Sequence, residues 1–261
     1  RWLLWKGQPI RALDFSADGA ELAVATRNGI RVWDCVRQLG TVLEAGAEVR
    51  AVAYAPARKQ LATGQGANAK LFDTQTGATI RAFGELPAAV NSVAFSHEGL
   101  LLAAGDEAGN IRVWNTLTGK VIEEFTLGQR INRLVFTPEP IPIAEQLAAA
   151  SADRLHYWRA LTWKKQTVWP QHALTPTVDI KAVAFSPDGR LVVSAGWNGD
   201  RDAVLFNRER FGFNNRYGHR DGITAFGFSP DSRIMASGSQ DGTVRLWDVR
   251  RFHEHGLPQG K

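Results

Sequence analysis

Cysteine is almost missing from this chain. Cys35 stands alone in 261 residues, which excludes an internal disulfide framework and a four-cysteine zinc site. Long apolar runs are missing too; nothing approaches the roughly 20 residues of a membrane helix, so no membrane partner is expected. No window sustains a 3.6-residue apolar period, and few stretches are long enough for a helix of ten or more residues. There is no Asn-x-Ser/Thr sequon. Without oxidative stapling, an intracellular, cytoplasmic address is the default expectation. Disorder is excluded by a composition 44% hydrophobic and 22% charged. The chain begins at Arg1 rather than Met, so targeting is not read from this end, and a larger protein or complex is expected around it.

What the sequence does have is a repeat. A short apolar strand ends in an aromatic, a polar turn follows, then a strand rich in Ala, Gly and Ser, then a third strand ending in an aromatic. The first anchors are Phe15, Tyr54, Phe95, Phe136, Phe185 and Phe228; the second are Trp33, Phe72, Trp114, Trp158, Phe206 and Trp247. A period of roughly 43 residues matches a four-stranded propeller blade. Ser186-Pro187-Asp188-Gly189 and Ser229-Pro230-Asp231-Ser232 read as turns with Pro fixing φ, and Asp241-Gly242 as a hairpin turn. The expected fold is all-β, a β-propeller of four-stranded antiparallel blades, with copies near 10–34, 49–73, 90–115, 131–159, 180–207 and 223–248.

Ile180 to Gly189 reads Ile-Lys-Ala-Val-Ala-Phe-Ser-Pro-Asp-Gly, and Ala236 to Asp248 reads Ala-Ser-Gly-Ser-Gln-Asp-Gly-Thr-Val-Arg-Leu-Trp-Asp. With Trp33-Asp34 and Trp247-Asp248, these residues resemble the WD-repeat β-propeller family over essentially residues 1–248. The resemblance implies a hydrogen-bonded tetrad inside a blade, complete only in the last copy as His219, Ser237, Asp241 and Trp247. The third copy has Ala104 and Ala108 at the Ser237 and Asp241 positions, and the second and fifth end in Phe72-Asp73 and Phe206-Asn207. Those blades are expected to hold by apolar packing more than by polar contacts. The family pattern also implies that Trp2-Leu3-Leu4-Trp5-Lys6 pairs with Arg245 to Trp247 as a closing outer strand, with 250–261 as a tail. If both ends are cut from a longer array, Arg250 to His253 is instead an outer strand. Six blades are expected, and seven if the chain is a fragment.

Enzyme signals are weak. Gly64-Gln65-Gly66-Ala67-Asn68-Ala69 matches a dinucleotide fingerprint, which works only where it opens a helix; Lys70-Leu71-Phe72 follows and reads as a strand. His253-Glu254-His255 and Asp200-Arg201-Asp202 lack the ligand number or spacing of a metal site, and Cys35 has no activating His. No catalytic residue, metal or cofactor is assigned.

What remains is a binding platform. The formal charge is +5, and Arg supplies 23 of 31 basic residues, suiting bidentate contacts with carboxylate or phosphate. The resemblance implies a non-catalytic scaffold or sensor that docks a protein or peptide on the face where each innermost strand begins. By that match the contact residues are Arg11, Arg50, Asn91, Asn132, Lys181 and Thr224, with Arg130 among those two positions earlier. Three cations and no anion in the first set favour an acidic partner, against the alternative that Arg50 pairs with Glu48 and Lys181 with Asp179. A nucleic-acid-binding propeller is the runner-up, carried by the basic, aromatic stretch from Arg201 to Arg220. The fourth copy has insertions at Glu139 to Gln146 and Leu161 to Asp179. In the second, Trp163, Lys164, Lys165 and Trp169 form a secondary candidate surface, unless the two Trp residues pack back on their own blade.

Overall fold

A computed structural model describes residues 9–45, 47–56, 58–138, 145–152, 155–160, 162–166, 179–196, 202–208, 212–250 and 252. These residues form 23 strands in six antiparallel sheets. Two compact units divide the chain, Arg1–Gly128 and Gln129–Lys261.

In the first unit, sheet one holds β1 (Ile10–Phe15), β2 (Glu21–Thr26), β3 (Gly29–Asp34) and β4 (Leu39–Ala45). Sheet two holds β5 (Val49–Tyr54), β6 (Gln60–Gln65), β7 (Asn68–Asp73) and β8 (Thr79–Ala82). Sheet three holds β9 (Val90–Phe95), β10 (Leu101–Asp106), β11 (Asn110–Asn115) and β12 (Val121–Thr126). In the second unit, sheet four holds β13 (Ile131–Phe136), β14 (Gln146–Ser151), β15 (Leu155–Arg159) and β16 (Lys165–Gln166). Sheet five holds β17 (Ile180–Phe185), β18 (Leu191–Gly196), β19 (Asp202–Asn207) and β20 (Gly212–Gly218). Sheet six has β21 (Ile223–Phe228), β22 (Ile234–Ser239) and β23 (Val244–Asp248). Its expected fourth strand, Trp2 to Lys6, lies outside the described residues, as does His253-Glu254-His255.

A meander of short strands has two faces and cannot bury either alone. Successive sheets solve this by stacking. In the first unit, Ala23, Ala25, Ile30 and Val32 of sheet one pack on Val49, Val52, Tyr54, Leu61 and Phe72 of sheet two. In the second, Leu191, Val193, Ala195, Ala203 and Leu205 of sheet five pack on Ile223, Met235, Phe226, Phe228 and Trp247 of sheet six. Each sheet therefore has a forward row, from its second and third strands, and a backward row led by its first strand. In sheet two, which has sheet one on one side and sheet three on the other, the second strand is covered on both faces, which is why Leu61 to Gln65 of β6 are buried and why such strands carry Ala and Gly. At Gly64 an added Cβ would sit 2.6 Å from Val90 Cγ1, so the close approach of sheets two and three requires glycine.

The turns are built by side chains that bond their own backbone. Asp73 Oδ1 accepts from the N–H groups of Gln75 (2.9 Å) and Thr76 (2.7 Å). Asp34 and Asn115 do the same after their strands. The residue after the third-strand aromatic thus closes the turn into the fourth strand, whether it is Asp or Asn. The Gly64 to Ala69 segment is a strand, a turn with Gly66 at φ +54°, and a strand, with no helix for a pyrophosphate to meet.

In sheet six the four tetrad residues touch. Trp247 Nε1–H donates to Ser237 Oγ at 2.8 Å, Ser237 Oγ lies 2.7 Å from His219 Nε2, and His219 Nδ1 lies 3.2 Å from Asp241 Oδ2. Asp241 also accepts from the Arg220 N–H (2.9 Å), the Thr243 N–H (2.9 Å) and the Thr243 hydroxyl (2.5 Å). An acceptor-only carboxylate fixes the imidazole proton on Nδ1, leaving Nε2 to accept from Ser237.

Sheet three, expected to hold by apolar packing more than by polar contacts, also carries a polar hub. Asp106, at the end of β10, is fully buried. Its oxygens accept from the backbone N–H groups of Ala88 (3.1 Å), Ala108 (3.0 Å) and Asn110 (2.7 Å) and from Asn110 Nδ2 (2.9 Å). One buried carboxyl two residues beyond the Ala104 position thus satisfies several partly buried donors without a histidine.

Replacing His219 by Ala strips partners from a buried serine and a carboxylate, and Asp106→Ala orphans three backbone donors. Each is expected to cost about 1–3 kcal/mol, read as a Tm several degrees lower in thermal unfolding. Acid should destabilise the fold as well. The Thr243 hydroxyl, followed by the Arg220 and Thr243 N–H groups and His219, holds the Asp241 carboxyl well below the usual range. Ser16, with the Ala20 N–H and Lys59, does the same for Asp18. Groups depressed on folding stabilise above the unfolded carboxylate pKa of roughly 4 and lose that contribution as pH falls through the folded value. Tm should drop between about pH 5 and pH 2, and Asp241→Asn should flatten that drop.

Candidate interaction surface

The six residues that the sequence pattern singles out share a backbone feature. In sheet one Ile10 faces Thr26 and Ala12 faces Ala25, leaving Arg11 without a partner in the ladder. The same one-residue slip isolates Arg50, Asn91, Asn132, Lys181 and Thr224. Each is the extra residue of a β-bulge. A bulge frees a side chain from the strict in-out alternation and re-aims it at the end of the sheet. The sequence carries no direct mark of these bulges, because a bulged strand keeps the composition of a regular one.

The bulge residues gather into one cluster in each unit. In the first, Arg11 Nη2 lies 3.2 Å and Arg27 Nε 4.0 Å from Glu48 Oε1, while Arg50 Nε lies 3.6 Å from Glu48 Oε2. Arg50 also pairs with Glu107 and donates to Asn91 Oδ1 at 3.3 Å. In the second, Arg130 Nη2 (3.1 Å) and Lys181 Nζ (2.5 Å) meet Asp179 Oδ2, and Asn132 Nδ2 donates to Asp179 Oδ1 at 2.6 Å. Thr224 donates to the Gly238 carbonyl at 3.3 Å and is exposed. The cations are thus paired, through the Glu48 and Asp179 contacts weighed above and through Glu107, which spacing did not point to. Three arginines face two glutamates in the first cluster, and Arg130 with Lys181 faces one aspartate in the second. Each retains one surplus positive charge.

Beside Arg50 opens a cavity of about 470 Å³. Glu48, Gln65, Gly66, Lys70 and Ala89 line it with Arg50. Gln65 is 9% exposed, and its Oε1 is buried without a hydrogen-bond partner. An orphaned acceptor is costly unless something donates to it.

Other candidates fall elsewhere. Arg208, counted above in the basic stretch, is buried rather than turned to water. It donates to the Gly189 carbonyl (2.8 Å) and Gln146 Oε1 (3.1 Å), with its guanidinium 5.2 Å from the Phe185 ring centroid. Burial removes it from any phosphate-gripping surface. Trp163 is half-buried in the turn after β15 at φ +53°, and Lys165 pairs with Trp158 as part of the fourth strand of its sheet. The first residues of that insertion therefore complete a sheet. Trp169 lies outside the described residues. Burial, then Asp34 and Glu21, push the Cys35 thiol up, away from the reactive thiolate.

Comparison with known proteins converges on the same architecture. The family model "WD domain, G-beta repeat" matches residues 79–115, 163–202 and 213–248. Each match starts on a fourth strand and runs into the next sheet, so the sequence repeat is offset from the sheet by one strand. "Periodic tryptophan protein 2" of Arabidopsis thaliana is 25% identical over 228 residues, 84% of this chain but 24% of that protein. "Target of rapamycin complex subunit wat1" of Schizosaccharomyces pombe is 24% identical over 236 residues, 84% of this chain and 71% of that protein. This chain thus spans about a quarter of the first relative's length and most of the second's. A chain in "Crystal Structure of Mitotic Checkpoint Complex" superimposes with a TM-score of 0.79 at 18% identity, covering 94% of this chain and 76% of that one; this likeness is one of fold. The chain thus carries WD repeats at 79–115, 163–202 and 213–248, and in repeat motif, sheet topology and fold it is similar to the WD-repeat β-propellers.

Proposed function

We propose that this chain is a non-catalytic interaction module that docks an acidic protein segment on the ends of its sheets where the bulges lie. The carrying observation is the set of six bulge residues, three of them cations, each lifted out of its ladder. A relative named as a subunit of a target of rapamycin complex supports an assembly role.

The mechanism is exchange of partners. Glu48, Glu107 and Asp179 hold the basic side chains extended and half-desolvated in the free protein. Surface pairs of this kind contribute only about 0–1 kcal/mol each, so an incoming carboxylate can share or displace them at small cost. Arg50 and Lys70 at the cavity offer it charge-assisted donors. Gln65 Oε1 accepts an N–H from the docked backbone, which sets orientation where charge alone would not.

A fluorescein-labelled glutamate-rich peptide and a random single-stranded oligonucleotide serve as probes. The peptide should bind, more weakly as salt rises. Arg11→Gln, Arg50→Gln and Lys181→Gln together should cut that affinity at least tenfold while lowering Tm by only a few degrees. Tighter binding of the oligonucleotide, with a steep salt slope, would contradict the proposal and support the nucleic-acid alternative. Gln65→Ala removes an unsatisfied acceptor rather than a bond, so Tm should hold or rise while peptide affinity falls. A fall in both would make Gln65 a structural residue.

A further inference from the structure

We infer that the cavity beside Arg50 receives an imidazole ring, the side chain of a histidine carried by the docked segment. This rests on the docking proposed above and adds which side chain enters the cavity. Sheet two matches sheet six in register. Thr63 pairs with Lys70 as Ser237 pairs with Arg245, so Thr63 holds the Ser237 position, and Asn68, two residues before Lys70, holds that of Thr243. The rest of the polar network is missing from sheet two. Phe72, at the Trp247 position, has no ring N–H. Ala45 stands four residues before the start of β5, where His219 stands four before the start of β21. The turn Gly66-Ala67 has no carboxylate, where Gln240-Asp241-Gly242 supplies Asp241.

Two buried polar groups are left over. Thr63 is fully buried and Gln65 is 9% exposed, and neither Thr63 Oγ1 nor Gln65 Oε1 has a hydrogen-bond partner among the described residues. Gln65 lines the cavity, and Thr63 is the next residue on that face of β6, about 6.6 Å further into the sheet. In sheet six the imidazole of His219 answers the same need: Nε2 lies 2.7 Å from Ser237 Oγ, and Nδ1 lies 3.1 Å from Thr243 Oγ1. A neutral imidazole accepts at one ring nitrogen and donates from the other. In the cavity the Thr63 hydroxyl donates to the ring nitrogen, and the ring N–H donates to Gln65 Oε1. An amide oxygen has two lone pairs, so Gln65 also keeps the backbone N–H assigned to it above. Ala47 and Ala89 give the ring apolar walls. A carboxylate or phosphate alone brings only acceptors; it satisfies Arg50 and Lys70 but gives Gln65 Oε1 nothing.

Titration of 4-methylimidazole into the 261-residue chain, followed by amide NMR, tests the ring site without any peptide. Saturable shifts are expected at Gln65, Gly66 and Asn68. 1-Methylimidazole lacks the ring N–H and should bind about tenfold more weakly. Thr63→Val removes an unpartnered hydroxyl from the interior, so Tm should hold or rise while affinity for 4-methylimidazole falls about tenfold. Two fluorescein-labelled glutamate-rich peptides, one with a central histidine and one with alanine there, test the source of the ring. The histidine peptide should bind the wild-type chain about tenfold more tightly, and Thr63→Val should erase that advantage. Absence of saturable shifts with 4-methylimidazole, or equal affinity for the two peptides, overturns the inference; in the second case the docking proposal still stands. Binding of 4-methylimidazole with neither peptide bound would instead overturn the docking proposal and leave the ring site intact.

Discussion

Everything in this molecule depends on one constraint: a sheet of short strands has two apolar faces and no means of covering them itself. The forward and backward rows answer it. They force small residues onto the middle strand, where Ala23, Ala62, Ala103 and Ala148 are fully buried. They put bulk on the first and third strands and push polar chemistry to the strand ends. The strand ends, by contrast, are free to vary. Loops and strand ends on a rigid scaffold are where binding residues commonly lie, which is consistent with the proposed site.

The polar interior is solved differently in different sheets. Sheet six uses His219 and Ser237 to link Trp247 to Asp241; sheet three uses the single carboxyl of Asp106; sheet five borrows Gln146 of sheet four through the buried Arg208. What these solutions share is satisfaction of a buried polar group, not residue identity. A family pattern can therefore erode in one copy while the copy still folds.

The strands were legible because alternation, aromatic anchors and turn residues all pointed the same way. Phe15, Trp33 and their equivalents mark strand ends as expected, and Ser237, Asp241 and Trp247 meet because they belong to one hairpin, with His219 brought in from the segment before β21. The polar hub at Asp106 was hidden, since it sits two positions away from the place the pattern occupies in sheet six. Arg208 was hidden because an arginine beside an aromatic-rich strand looks the same in sequence whether it faces water or is held by a carbonyl of its own sheet and a glutamine of the preceding one. The start of the fourth-copy insertion concealed β16, a strand too short to show alternation. At the candidate site, residue identities were readable but the bulges were not, and neither was Glu107, which reaches Arg50 from the following sheet.

The central claim is that function resides at the bulged ends of the sheets, and site-specific photocrosslinking tests it most directly. A benzophenone side chain placed at Thr224, a bulge position of sheet six, is compared with one at Arg233, exposed in the turn at the other end of β21 and β22. With the labelled acidic peptide, the account predicts covalent labelling from position 224 and none above background from 233. Equal labelling from both, or labelling from 233 alone, would contradict it.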